Sequence, residues 1–201
     1  MQLSILQKNL EDLGYSVKRF DTKEQACDYL DAVIDNKTVG IGGSVTVTQM
    51  GLLPHLETHN EVRCHVAAKA GENVLDLRLK ATRSQVYISS VNGISLRGEI
   101  VNIDNTGNRV AATTFGCEDV YFIIGQNKVA ETLEKAIDRA RNIAAPLNAK
   151  RLGVKTPCAV KGDKCYDCNS PQRICRNLSV FWKKPTGCRY EIVLVAEDLG
   201  Y

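Results

Sequence analysis

At 201 residues the chain is slightly longer than a typical single domain but too short for two full ones to be the default, so one core with an appendage is expected. Its 44% hydrophobic and 24% charged residues exclude a disordered chain, and no apolar run approaches the roughly 18 residues of a membrane span. A net charge of +3, from 26 basic and 23 acidic residues, sets up no field of one sign, which argues against nucleic acid or a membrane as partner.

Residues 1–15 carry Leu3, Leu6, Leu10 and Leu13 at helical intervals with acidic residues between them, the pattern of an amphipathic helix. The basic start, apolar run and small-residue cleavage site of a secretory signal are missing, so a cytoplasmic location is expected. In that reducing compartment the eight cysteines are expected as thiols or metal ligands rather than disulfides. Strand and helix patterns then alternate: a strand over 16–20, a helix over 23–35, a buried strand over 38–41 ending in Gly42-Gly43, and a helix over 46–58. Strands are predicted over 62–67 and 85–90, and the apolar run 120–124 is the cleanest strand of all. A helix over 131–145 follows, with Leu133, Ala136, Ile137, Ala140 and Ala144 on one face and Pro146 expected to end it. Such alternation predicts an α/β fold with a mainly parallel central sheet and helices on both faces, since parallel strands need crossover connections. Ligands of such sheets bind beyond the C-terminal strand ends.

Two segments depart from the alternation. Residues 95–104, with Gly98 between short β-like pieces, predict a hairpin near the sheet edge. Residues 155–177 are rich in Cys, Lys, Gly, Pro and Asn and have too few apolar side chains to order themselves by burial, which motivates a metal as organiser of a small peripheral module. The chain closes with strand patterns over 178–183 and 190–196.

That polar segment holds Cys158, Cys165, Cys168 and Cys175, a C-x6-C-x2-C-x6-C array. Four thiolates complete a tetrahedral zinc site or the four corners of an iron–sulfur cluster. Lys155, Lys161, Lys164, Arg173 and Arg176 lie among them to offset thiolate charge. A single C-x2-C flanked by two lone cysteines differs from the paired knuckles common in zinc modules, which favours a [4Fe-4S] cluster, with zinc as the alternative. The bland alternative is a set of incidental thiols. Cys27, within a helical pattern, reads as a small buried hydrophobe.

Three further stretches have the chemistry of an anion site. Gly42, Gly43, Ser44 and Thr46 follow a strand and suit close backbone approach and helix capping, although such glycines more often make only a tight turn. Asp104, Thr106, Gly107, Asn108 and Arg109 form a polar turn in which Arg109 offers a fork for a carboxylate or phosphate; a structural Asp104–Arg109 pair is the bland alternative. Asn127 and Lys128 stand just past the strand over 120–124, where a parallel sheet presents ligand contacts, although a lysine there is ordinarily solvated. His55 and His59 lack the following glutamate of a zinc-protease motif and read as surface histidines.

Taken in order, Gly42-Gly43-Ser44-Val45-Thr46, Thr106-Gly107-Asn108-Arg109-Val110-Ala111-Ala112, Gly125-Gln126-Asn127-Lys128 and Arg139-Ala140-Arg141-Asn142-Ile143-Ala144-Ala145-Pro146 resemble the lactate-utilisation (LUD) family. The tail with Pro157-Cys158, Cys165-Tyr166-Asp167-Cys168, Ser170-Pro171 and Cys175 resembles its stand-alone members with a cysteine-rich end. The resemblance implies a fold similar to the sugar-phosphate isomerase and CoA-transferase superfamily, and a link to lactate oxidation beside oxidoreductase or iron–sulfur subunits. One departure is Asn92-Gly93-Ile94-Ser95-Leu96-Arg97-Gly98, where the family pattern has an acidic residue before the glycine. Three functions are compatible with these residues: a component of organic-acid oxidation with an iron–sulfur centre and a small anionic ligand, a non-redox anion-binding module with structural zinc, and an isomerase- or transferase-like enzyme in the cleft.

Overall fold

The structure is a computed structural model and describes residues 2–201, so Met1, with which the first predicted helix begins, lies outside the described residues. Among them, six strands form an all-parallel sheet in the order β1-β10-β7-β4-β2-β3: β1 (Ser16–Phe20), β10 (Arg189–Val195), β7 (Asp119–Gly125), β4 (Val86–Ser90), β2 (Thr38–Ile41) and β3 (Glu61–Cys64). Alternate residues of each strand face opposite sides, as the two-residue period requires. Val39, Ile41, Val86, Ile88, Ile123 and Val193 bury one face against α2 (Lys23–Val33), α3 (Val45–Met50) and α4 (Leu52–Leu56). Tyr87, Val120, Phe122, Ile124, Ile192 and Leu194 bury the other against α1 (Gln2–Asp12), which contributes Leu6 and Leu10. Each such fully buried aliphatic side chain contributes about 1.5–3 kcal/mol, so both faces of the sheet are strongly held.

The predicted hairpin forms between β5 (Gly93–Ser95) and β6 (Ile100–Asp104), but not at the edge of the main sheet. It belongs to a second sheet, ordered β8-β5-β6-β9 with β8 (Val129–Ala130) and β9 (Asn177–Phe181). Ile94 and Ile100 pack toward the main sheet, while Val101 packs outward against Ala136 and Ala140. The expected helix over 46–58 is broken at Gly51, whose φ of 68° lies in the left-handed region and turns the chain between α3 and α4. The strand expected over 62–67 ends at Cys64 and tightens into a 3-10 turn over His65–Ala67. Among the described residues three helices lie outside the sequence-predicted set, α5 (Val74–Ala81), α6 (Asn108–Thr114) and α9 (Pro157–Lys161).

Pro146 does not end its helix. The chain runs through α7 (Leu133–Arg139), a π-helical turn over Ala140–Ala144 and α8 (Ala145–Arg151). A proline inside a regular helix lacks the N–H for one bond, and its ring crowds the carbonyl four residues back, here that of Asn142. The wider π turn relieves that crowding and puts Pro146 at the first positions of α8, where the missing N–H costs nothing. This distortion also aims the helix: Arg141 and Asn142 reach the cysteine segment, while Ala144 and Ala145 reach the sheet's C-terminal ends.

Candidate anion cavity and cysteine site

After β2 the chain leaves toward β3 on one side, and after β4 it proceeds to β7 on the other. Loops that part in this way open a crevice at the C-terminal strand ends. A cavity of about 140 Å³ occupies it, far above the roughly 10–15 Å³ that one water requires. Of the sequence-predicted ligand residues, Gly43, Ser44, Thr46, Asp104, Arg109 and Lys128 line it. Gly42, Thr106, Gly107, Asn108 and Asn127 are not part of the lining. Gly42 instead makes room beneath it: a Cβ there would stand 2.9 Å from the Tyr87 hydroxyl and 3.3 Å from Arg109 Cγ. Asn127 fixes the last residues of the chain, accepting from Leu199 N at 3.1 Å and donating to Gly200 O at 3.2 Å, and Tyr201 joins the cavity wall.

Lys128 follows β7 in a 3-10 turn and is 3% exposed, not the solvated lysine its position suggests. Its Nζ donates to Thr46 Oγ1 at 2.8 Å, Ser90 Oγ at 2.9 Å and Val91 O at 3.0 Å. Burial, reinforced by the nearby Arg139 and Arg109 guanidinium groups, pushes its pKa down to about 7. Arg139 is itself held by Asn127 O and Asn92 O.

Arg109 corrects the sequence expectation of an open fork. Nη1 donates to Ser90 O at 3.2 Å and Asn102 Oδ1 at 2.5 Å, and Nη2 donates to Asn92 Oδ1 at 3.2 Å and Ile103 O at 2.6 Å. Those donors are spent on neutral oxygens. Nor does Asp104 pair with the guanidinium: Oδ2 accepts from the backbone N–H groups of Arg109 and Val110 and Oδ1 from that of Asn105, capping α6 where Gly107 brings no side chain. The cavity therefore sees buried positive charge whose hydrogen bonds run to uncharged groups, while the carboxylate in its wall is already engaged. Its potential favours an anion.

Ser90, Asn92, Asn148 and Arg151 also line the cavity and were missed by sequence reasoning. The available signal was Ser89-Ser90, two hydroxyls at the C-terminal end of an otherwise apolar strand.

The cysteine segment packs beside α8, with Ala145 and Pro146 in the wall of its cavity. Cys158, Cys165, Cys168 and Cys175 are all partly buried thiols and together line one cavity of about 20 Å³, with Arg141 and Arg173 in its wall. Among the described residues, no group of three or more His, Cys, Asp or Glu side chains is gathered tightly enough to hold a single metal ion. Cys158 Sγ lies 3.3 Å from Thr156 Oγ1, and Cys165 Sγ accepts from Asp167 N at 3.3 Å and Arg141 Nη2 at 3.8 Å. Arg173 staples the loop, donating to Cys175 O at 2.9 Å, Cys168 O at 2.8 Å and Asp167 Oδ1 at 3.2 Å. Cys27 is buried in α2, as its helical pattern suggested.

An all-parallel sheet flanked by helices, with a polar cavity over its C-terminal strand ends, defines an α/β protein. The LUD domain model matches residues 3–195, and the chain belongs to the LUD domain family. No curated protein matches it in sequence. Among solved structures it is similar to a DUF162 family protein from Deinococcus radiodurans, at 9% identity over 96% of each chain with a TM-score of 0.55, a likeness of fold. A partial similarity to ribose 5-phosphate isomerase from Plasmodium falciparum, at 14% identity over 54% of this chain and 52% of that one, has a TM-score of 0.36 and carries no weight here. Among the described residues, no helix is long and apolar enough to cross a membrane.

Proposed function

We propose that this LUD-domain protein serves lactate or related organic-acid utilisation in the cytoplasm as a component of an iron–sulfur oxidoreductase system. The observation that carries the reading is the shared wall: Ala145 and Ile174 line both the anion cavity and the cysteine cavity. A small carboxylate binds in the first, beside Lys128 and in the field of Arg109 and Arg139. Because Lys128 is poised near neutrality, it takes up a proton as the anion arrives. The four thiols face one small cavity and supply four ligands, and the single C-x2-C flanked by two lone cysteines favours a [4Fe-4S] cluster over zinc. N–H donors already directed at Cys165 Sγ are of the kind that tune cluster potentials. A cluster held there supplies one-electron transfer to an oxidoreductase or iron–sulfur partner.

The test is a titration of anaerobically purified, dithionite-reduced protein with lactate, followed by electron paramagnetic resonance. A saturable shift of the cluster signal is expected, since Ala145 and Ile174 line both cavities. A cluster signal indifferent to saturating lactate and pyruvate would contradict the shared-wall reading.

A further inference from the structure

The partners of Lys128 are chemically unequal. Val91 O can only accept, and Thr46 Oγ1 already directs its proton to Leu199 O at 3.2 Å. Ser90 Oγ is the one partner able to donate, and among the described residues it has no other hydrogen-bond partner. When Lys128 is a neutral amine, its two N–H groups satisfy Val91 and Thr46, and its lone pair receives the Ser90 proton. When it is an ammonium, all three oxygens accept from it. Both protonation states are fully hydrogen-bonded, so a proton can pass from Ser90 to Lys128 without rearrangement. The pair sits at the C-terminal end of a central strand, and both residues line the anion cavity.

We propose that Ser90 and Lys128 form a serine–lysine dyad that cleaves activated esters or thioesters of small carboxylic acids. Ser90 Oγ attacks the acyl carbon as its proton passes to Lys128 Nζ; the ammonium then protonates the departing alcohol or thiol, leaving acyl-Ser90. Water attacks that ester, again giving a proton to Lys128, which returns it to Ser90 Oγ as the acid leaves. An amine whose pKa is about 7 is a base in this range, whereas an ordinary lysine is not. The oxyanion donor is the Asn92 amide. Its oxygen is fixed by Ile103 N at 2.7 Å and Arg109 Nη2 at 3.2 Å, which leaves Nδ2, with no partner among the described residues, as the group to donate into the cavity. The acid released is the anion the cavity's charge favours. This activity goes beyond the electron-transfer reading and uses the same cavity without requiring the cysteine site.

The experiment exposes full-length protein, with and without its metal centre, to p-nitrophenyl acetate and to the acetyl thioester of N-acetylcysteamine. Expected is an acetyl adduct mapped to Ser90 by peptide mass spectrometry, with a rate that climbs through an inflection near pH 7. Ser90→Ala, which removes one atom, and Lys128→Met should each slow acylation by about 100-fold or more. Asn92→Ala should slow it by about 10²–10³-fold with little change in the inflection. Circular dichroism confirms that each variant is folded, and the wild-type pH profile and adduct position stand even if Lys128→Met is not. Acylation at other residues, an unchanged rate in folded Ser90→Ala, or no acylation of the wild type by either ester would overturn the dyad. Because acylation is read on protein with and without metal, its failure leaves the metal content and lactate titration as independent readings.

Discussion

The anion cavity and the cysteine cavity share a wall and are held together by different forces. Around the first, the positions of Ser90, Lys128 and Arg109 follow from strands buried on both faces, so the apolar core fixes the polar groups. Around the second, Cys158, Cys165, Cys168 and Cys175 sit in a polar loop whose order comes from side-chain to backbone bonds made by Arg173, Arg176, Gln172 and Asn142. Each such bond contributes only about 0.5–1.5 kcal/mol, against roughly 1–2 kcal/mol of backbone entropy per ordered residue. A sheet can build a site without a ligand, whereas a loop of this composition gains its order from polar bonds and, on the proposed reading, from a metal centre.

The sharpest way to break that contrast is to remove the cysteines one at a time. Replacing Cys158, Cys165, Cys168 or Cys175 by Ser should abolish the metal centre and increase limited proteolysis within residues 155–177, while Cys27→Ser should change neither. Equal metal retention in all four variants would remove the contrast.

Next in size is Arg109→Met, which takes a donor from Ser90 O, Asn102 Oδ1, Asn92 Oδ1 and Ile103 O in a partly buried setting, although Ser90 O keeps Ser89 Oγ and Asn92 Oδ1 keeps Ile103 N. Urea unfolding should show a loss of roughly 3–5 kcal/mol, with metal content retained in the folded protein. A loss under about 1 kcal/mol would mean that the cavity floor is not held by this network.

Lys128→Met gives a smaller effect that depends on pH. The folded value of about 7 lies below the ordinary 10.5, so between those limits the unfolded chain binds a proton that the folded chain does not. Wild-type stability therefore falls as pH drops from about 10 toward 7 and then levels. The variant lacks this slope and should gain on the wild type over that window, by a few kcal/mol at most, at about 1.36 kcal/mol per pKa unit. Parallel stability curves between pH 7 and 10 would show that Lys128 titrates normally.

The smallest effect belongs to His59, away from both cavities. Its pKa is raised by the hydrogen bonds it donates to Asp31 and Asp35, so its stabilisation is complete below the ordinary value of about 6.5 and disappears as pH rises through the folded value. His59→Asn should lower Tm slightly at pH about 5.5 and leave it unchanged near pH 9. A shift equal at both pH values would assign the loss to packing.

The same contrast explains what could be read in the sequence. β7 is legible because Val120-Tyr121-Phe122-Ile123-Ile124 is an apolar run bounded by Asp119 and Gly125, and burial on both sheet faces demands such a run. The cysteine array is legible because its spacing is local. Lys128 lies just past that strand, as the sequence indicates, but its burial depends on Leu199 and Gly200 folding over from the far end of the chain, which no local pattern encodes. Arg109 reads as a ligand fork in the sequence because its four acceptors come from two segments that only the fold brings to it, Ser90-Val91-Asn92 and Asn102-Ile103. The π turn stayed hidden because Ala140, Ile143 and Ala144 satisfy an ordinary helical period, and only Pro146 signals that the register must change.

The most direct test of the account is anaerobic purification of the full-length protein followed by iron, zinc and acid-labile sulfide analysis. The account predicts four iron and four sulfide per chain, with a visible absorption band that bleaches on dithionite, all lost in Cys165→Ser. Colourless protein carrying stoichiometric zinc, or protein with no metal whose 155–177 segment still resists proteolysis, would contradict it.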